Sequence, residues 1–314
     1  MTEPIYSIIS FIMADKLAKD MTLKGSSTTM PKLIYGTAWK RERTADLVYT
    51  ALKCGFRGVD TAAQPEHYNE EGVGQGVKRA INDGIIKREG LFLQTKFSPP
   101  AIQGEKAPYD FKAPVVDQVH QSVQSSLKYF TIEGEKPYFD SMLLHTPLTN
   151  MEETIAAWKT LETYVPHQIR NLGISNIELP ILKELHDAVT VKPSVVQNCF
   201  HTGTHFDVEL RTYCRRQEIA YQSFWTLNGN PKLAASMPIG MISEKAGVEF
   251  AAAYYALLFG LDGVAVIDGT TTESHMKDDL EGIEKVASWA EGSGADEWTR
   301  ALTEFKQSIG DVRK

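Results

Sequence analysis

Eight short apolar runs, separated by longer stretches in which apolar residues recur every three or four positions, constrain the fold of this chain more than any single residue does. The runs are LIYGTAW (33–39), FRGVDTA (56–62), LFLQTKFS (91–98), YFDSMLLH (138–145), IRNLGIS (169–175), PSVVQNCF (193–200), IAYQSFW (219–225) and GVAVIDG (263–269). Between them TADLVYTALKCG, VVDQVHQSVQSSLKYF, MEETIAAWKTLETY and LPILKELHDAV carry helical spacing. Strand and helix alternating in this way specify parallel βαβ units, and eight of them close an α/β fold of the (β/α)8 TIM barrel type. After the eighth run, SHMKDDLEGIEKVASWA reads as the final barrel helix and ADEWTRALTEFKQSI as an extra C-terminal helix. No linker or low-complexity tract interrupts the pattern, which predicts one domain over 21–314 behind an extension over 1–20.

In such a barrel the loops after the strands build the active-site face. Asp60, Lys96 and His145 each lie at the downstream end of a run, and Tyr68 lies in the loop after Asp60. A Lys and an Asp beside a Tyr are expected to favour its phenolate, so that the group exchanges a proton near neutral pH despite a free pKa of about 10. A neighbouring His can orient a carbonyl. Each residue alone also reads as half of an ion pair that fixes a loop; together they point to proton-coupled hydride transfer.

The words GFRGVDTA, LQTKFS and LLHTP around these residues resemble the aldo-keto reductase family, of which this chain looks like a divergent member. The resemblance implies NAD(P)H-dependent reduction of an aldehyde or ketone without a metal. It makes Tyr68 the proton donor, Lys96 and Asp60 the groups that tune it, and His145 the residue that orients the substrate. It also implies that MTLKGSSTTMPK is an N-terminal hairpin capping the barrel's bottom. The family's Tyr usually stands five residues after the Asp, where this chain has Pro65. Because NEEGVG after Tyr68 matches the family's text after its own Tyr, a three-residue insertion is the simplest alignment. The alternative is that the longer loop carries Tyr68 away from Lys96 and leaves His67 or a water as donor.

The same resemblance extends to a cofactor site. Ser175 and Asn176 match the pair that holds the nicotinamide carboxamide, Gln197 its third partner, and Phe224 the aromatic ring on which the nicotinamide stacks. Trp225, Thr226 and Leu227 would approach the pyrophosphate, although the family's Ser-Pro-Leu-Gly word is lost. In the eighth loop the family's Lys-Ser pair and Arg become Gly269, Thr270 and His275, with Asp279 where Asn is usual. A 2′-phosphate requires cationic donors. NADP is therefore expected on the family pattern and NAD as the alternative, with Lys232 or Lys277 able to compensate from outside the motif.

Trp39, Phe97, Tyr109 and Trp225 are candidates for substrate lining, each equally readable as an ordinary core or surface aromatic. LNGNPKLAASMP and GDVRK are short for the family's closing loop and tail. The Tyr68 insertion and SPPAIQGEKAPYDFKAP are expected to supply the remaining walls. A wide mouth suggests a bulky or extended carbonyl compound. Two other functions fit the scaffold: a regulatory or redox-sensing barrel with slow turnover, and a cofactor-independent lyase or cyclase that uses Lys96 as base or amine.

Other features carry less. Gly72, Gly74 and Gly76 form a GxGxG run without the preceding strand of a dinucleotide fingerprint. His201, His205 and Asp207 in HTGTHFD have metal-like spacing but no further ligand, so no metal is expected. With 33 Lys and Arg against 40 Asp and Glu, the net charge of −7 and the lack of a basic block argue against a nucleic-acid partner. Three scattered cysteines, Cys54, Cys199 and Cys214, suit a reducing, cytoplasmic setting, with Cys54 and Cys214 expected as buried helix residues. The apolar run from Ile5 to Met13 is too short to span a bilayer and lacks a basic lead, so no membrane association is expected. The partner expected is a small carbonyl substrate, on a monomer or weak homo-oligomer.

Overall fold

In a computed structural model the described residues are 17–132 and 134–312. An antiparallel hairpin of β1 (Met21–Thr22) and β2 (Thr29–Met30) comes first. Eight parallel strands follow: β3 (Leu33–Gly36), β4 (Gly58–Asp60), β5 (Phe92–Phe97), β6 (Ser141–Leu144), β7 (Leu172–Ser175), β8 (Val195–Cys199), β9 (Ala220–Phe224) and β10 (Val264–Asp268). Each pairs with the next, and β10 pairs with β3 to close the barrel. Every predicted run holds one of these strands, shortened where its polar ends leave the ladder. Helices α1 (Thr44–Cys54), α2 (Glu70–Asn82), α3 (Val115–Tyr129), α4 (Met151–Glu162), α5 (Leu179–Ala188) and α6 (Val208–Gln217) follow β3 to β8 in turn. A short α7 (Pro231–Ala234), α8 (Met237–Ala246) and α9 (Phe250–Phe259) follow β9. After β10 come α10 (Glu273–Glu291) and α11 (Ala295–Ser308).

The period-two alternation of each strand divides the core in two. On β5, Leu93 and Phe97 join the large cluster between sheet and helices, whereas Phe92 faces inward. Phe92 meets Ile34, Leu143, Val195, Ala220 and Ala265 in an apolar floor that Leu23 and Met30 of the hairpin close from below. Above the floor lies a layer of amides. Gln94 Nε2 donates to Gln222 Oε1 at 2.7 Å, Gln197 Nε2 donates to the same oxygen at 2.9 Å, and Gln222 Nε2 reaches Met30 Sδ at 3.1 Å. These buried polar groups satisfy one another, which is the condition for placing them inside a barrel.

The GxGxG run is a packing device. It lies inside α2, where a Cβ on Gly74 would stand 2.3 Å from the Tyr129 carbonyl oxygen and one on Gly76 would stand 2.6 Å from that of Ala45. Only glycine lets α2 approach α1 and α3 this closely. Among the cysteines, Cys214 is buried as expected, but Cys54 at the end of α1 is only half-buried. The extension's expected packing falls, for residues 1–16, outside the described residues. Leu17 itself is buried, and its carbonyl accepts from Lys32 Nζ at 3.2 Å. Among the described residues no helix is long and apolar enough to cross a membrane.

Beyond α11, Asp311 turns back to meet α6. Arg211 is 1% exposed and donates from Nη1 to Asp311 Oδ2 at 2.8 Å and from Nε to the Phe206 carbonyl at 2.9 Å. Truncating Asp311 to Ala leaves a buried guanidinium without its counter-ion, so denaturant unfolding should show a loss of about 3–5 kcal/mol. A loss below about 1 kcal/mol would place the pair among weak, solvated ones.

Candidate active site

The strand ends bring the first set of residues together. Asp60 ends β4, Lys96 is the last inward residue of β5, and His145 follows β6 directly. Lys96 is fully buried, and its Nζ donates to Asp60 Oδ1 and Oδ2 at 2.8 and 2.7 Å and to the Thr61 carbonyl at 2.9 Å. Those three bonds use all three ammonium hydrogens. Gln94 and Gln197 of the amide layer donate to Asp60 Oδ1 at 2.7 and 3.1 Å, so the carboxylate is held from below as well.

Tyr68 arrives by a longer loop whose extra residues are absorbed in a helical turn. Thr61 and Ala63 first extend the ladder, donating to the Gln94 and Lys96 carbonyls at 2.9 and 3.0 Å. The chain then coils, with Tyr68 N donating to the Gln64 carbonyl at 2.9 Å, and Asn69 caps α2 through Gly72 N at 2.9 Å. Tyr68 thereby lies with its ring centroid 5.3 Å from Lys96 Nζ and 5.8 Å from the His145 ring, edge to face. The loop does not carry it away.

Electrostatics depart from the sequence reading at this point. Burial first, and then the charge of Asp60, hold the Tyr68 hydroxyl well above the usual phenol range. The expected bias toward phenolate fails because the Lys96 charge is spent on both Asp60 oxygens. Burial draws Lys96 itself downward against the opposing pull of Asp60. His145 lies well below the usual imidazole range, through burial first and the charge of Lys96 second, and its Nδ1 is 2.7 Å from Ser98 Oγ. In this site burial favours the protonated phenol and disfavours the charged imidazole.

A cavity of about 970 Å³ opens over these groups. It is lined by Asp60, Tyr68 and His145, by Ser175, Asn176, Gln197, Phe224, Trp225, Thr226 and Leu227, and at its far end by Gly269, Thr270, His275 and Asp279. Trp39 and Trp225 stand at it as exposed walls, both in the left-handed backbone region at φ 63 and 55. Phe97 and Tyr109, expected in the lining, do not reach it. Phe97 points outward because Lys96 beside it points in, and it packs on Tyr109 at 5.6 Å between centroids. Tyr109 donates to the Ser98 carbonyl at 2.7 Å, stapling the segment after β5 away from the opening, so that segment is not a cavity wall either.

Polar atoms at the middle of the cavity are partly committed. Ser175 Oγ donates to the Gln197 carbonyl at 2.7 Å, and Asn176 Nδ2 donates to the His145 carbonyl at 2.9 Å and to Ser175 Oγ at 3.1 Å. With the amide nitrogens of Asn176 and Gln197 engaged, their oxygens remain as acceptors, a pair that fits the NH2 group of a primary carboxamide. The far end is acidic. Asp268, at the end of β10, lies with Asp279 in a buried pair, and Asp279 is pushed up to about 8 by burial first and the Asp268 charge second. Lys40, a cavity residue that donates to the Gly269 carbonyl, is the cation beside them.

Lys40 and Asp268 are missed in the sequence, and His67 enters there only as a substitute proton donor. Asp268 ends a strand as Asp60 does, so the rule that found one applies to the other. Lys40 carries no such signal. In HTGTHFD the side chains of His201 and Asp207 have local tasks: His201 Nδ1 accepts from Gly203 N at 3.0 Å, and Asp207 Oδ2 accepts from Asn198 and from the Tyr221 hydroxyl, both at 2.9 Å.

Comparison with known proteins agrees with the barrel. The model of the Aldo/keto reductase family matches residues 29–234. NAD(P)H-dependent D-xylose reductase of Pachysolen tannophilus is 30% identical over 184 residues, 51% of this chain and 52% of that protein. The enzyme of the same name from Candida tenuis is 31% identical over 194 residues, 55% of this chain and 56% of its own length. The chain thus spans about half the length of the curated relatives it matches. An aldo/keto reductase structure from Brucella melitensis superposes with a TM-score of 0.68 at 24% identity, over 86% of this chain and 99% of that one. A Bombyx mori aldo-keto reductase in complex with NADP gives 0.67 at 20% identity, over 87% and 92%. At those identities the two structures speak for the barrel, while the matched sequence model spans well over half of the residues: the chain belongs to the aldo/keto reductase family.

Proposed function

We propose that this protein reduces an aldehyde or ketone to an alcohol with a nicotinamide cofactor, and that residues 21–314 act as one domain in doing so. The observation that carries the reading is Tyr68 facing the cavity, with the Lys96–Asp60 pair behind it and His145 beside it; burial holds the phenol above and the imidazole below their usual ranges. When bound, the cofactor supplies a hydride to the carbonyl carbon. Phe224 would give its ring a stacking surface, and the oxygens of Asn176 and Gln197 would accept from its carboxamide. Tyr68 gives its proton to the carbonyl oxygen, which His145 orients by a hydrogen bond. The buried Lys96–Asp60 pair fixes the charge behind the phenol. Lys96 has no free hydrogen and does not line the cavity, which argues against the reading in which it acts as an amine nucleophile. Trp39 and Trp225 as exposed walls, with a short loop after β9, favour a bulky or extended carbonyl compound. An ultraviolet assay of NADPH and NADH oxidation over a carbonyl panel tests the proposal. Tight cofactor binding with no oxidation on any member would favour the regulatory barrel.

The far end of the cavity bears on which cofactor is used. The family pattern puts NADP first, but a 2′-phosphate there would meet Asp268 and Asp279 as well as Lys40. The acceptor-rich end suits the hydroxyls of an unphosphorylated ribose, so NAD is a full alternative. Preference for NADPH over NADH should be tenfold or less, since one well-placed charged contact is worth about 1.5–3 kcal/mol and the negative charge left on the Asp268–Asp279 pair subtracts from it. Gly269→Lys with His275→Arg should shift preference toward NADPH. A Cβ on Gly269 has only Lys40 Nζ within reach, at 4.0 Å, so the first change is accommodated. Fluorescence titration of both cofactors decides it: a thousandfold preference for NADPH in the wild type means other residues hold the phosphate.

A further inference from the structure

The loop that returns Tyr68 to the site also delivers a second imidazole, His67, for which the reduction chemistry has no role. We propose that His67 Nε2 is a substrate subsite that accepts a hydrogen bond, and that it selects carbonyl compounds bearing an O–H or N–H donor next to the carbonyl. The proposal rests on the carbonyl-reduction reading.

The direction of this hydrogen bond follows from neighbours that leave no choice. The Ile102 carbonyl can only accept, and Gln64 Nε2 donates to it. The Gln64 amide oxygen is therefore the atom 2.9 Å from His67 Nδ1. That oxygen also can only accept, so Nδ1 carries the hydrogen. In the neutral ring Nε2 is then a bare lone pair, and among the described residues it has no partner. Gln64 is 4% exposed, so the device that sets the tautomer is sheltered from water. The ring is fixed as well. It lies against Trp39 at 4.0 Å between centroids, and Trp39 N donates to the His67 carbonyl at 2.7 Å.

His67, Trp39, Tyr68 and His145 line one cavity. Tyr68 offers a hydrogen toward a carbonyl oxygen, whereas His67 offers the opposite, a lone pair toward a donor on the same molecule. A substrate that lacks the donor leaves that lone pair unpaired in a partly dehydrated site, and sites built to pair a substrate O–H or N–H discriminate against its absence more strongly than apolar pockets discriminate by size.

Two near-isosteric substrate pairs test this. Hydroxyacetone and butanone differ by OH in place of CH3; pyruvamide and butane-2,3-dione differ by NH2 in place of CH3. In at least one pair the wild type should favour the donor-bearing member about tenfold or more in kcat/KM, and the pair that does so identifies the donor. His67→Phe, which keeps a flat ring against Trp39, should bring that ratio to within about twofold of unity, and Gln64→Met should lower it by freeing the tautomer. Equal rates within both pairs, or a ratio that survives in His67→Phe, overturns the subsite and leaves the reductase reading intact. Failure of every carbonyl overturns the reductase reading instead. The subsite is then judged by nitrogen-15 spectra of labelled histidine: Nε2 unprotonated in the neutral ring and shifted on adding hydroxyacetone supports it, and a protonated or unmoved Nε2 overturns it.

Discussion

Tyr68→Phe should lower turnover by on the order of a thousandfold or more, because the proton for the carbonyl oxygen has no other source at that position and general acid catalysis is worth about 10²–10⁴. Cofactor dissociation constants should change by less than about twofold, since the phenol makes no bond to Asn176 or Gln197 and the substitution keeps the ring that meets His145 and Lys96. The measurement is single-turnover reduction with cofactor affinity followed in parallel by fluorescence. Retention of more than about a tenth of wild-type rate would transfer the acid role elsewhere, with His67 the first residue to examine.

Lys96→Met should lose activity and stability together, and a second substitution should separate the two losses. The single change leaves the Asp60 carboxylate buried beside two glutamine donors but without its cation, at a cost of about 3–5 kcal/mol in unfolding free energy. Turnover should fall by on the order of a thousandfold, as when a preorganised charged group is removed from a catalytic site. Lys96→Met with Asp60→Asn removes the orphaned charge and should recover most of the stability while activity stays low. If the double variant recovers activity too, Lys96 serves only to neutralise Asp60, and the cation has no part in the chemistry.

Much of this molecule was legible in its sequence because its signals are local. Each strand lies within its own apolar run, and Asp60, Lys96 and His145 could be placed from the positions that end those runs. What was misread depended on direction. Lys96 pointing inward requires Phe97 to point outward, a constraint that aromatic character, which leaves lining and core equally open for Phe97, does not carry. The phenolate expectation treated Lys96 as a free charge, and only the folded site shows it bonded to Asp60 twice and to Thr61. Contacts between distant segments were beyond reach altogether. Nothing near Gly74 foretells the Tyr129 carbonyl, and nothing in Gln-Pro-Glu-His shows that it coils and returns Tyr68 to its partners.

The amide layer beneath Asp60 and Lys96 has a consequence for the proton inventory of a turnover. Below it lies the apolar floor, with Met30 as the last contact of Gln222, so among the described residues the hydrogen-bonded layer ends there and does not continue toward the hairpin. On the proposed reductase reading, Tyr68 is then recharged from the cavity side. With cofactor and substrate filling that opening, the phenol would regain its proton only after the alcohol departs. The expected order, release first and reprotonation second, would follow from the apolar floor beneath the site.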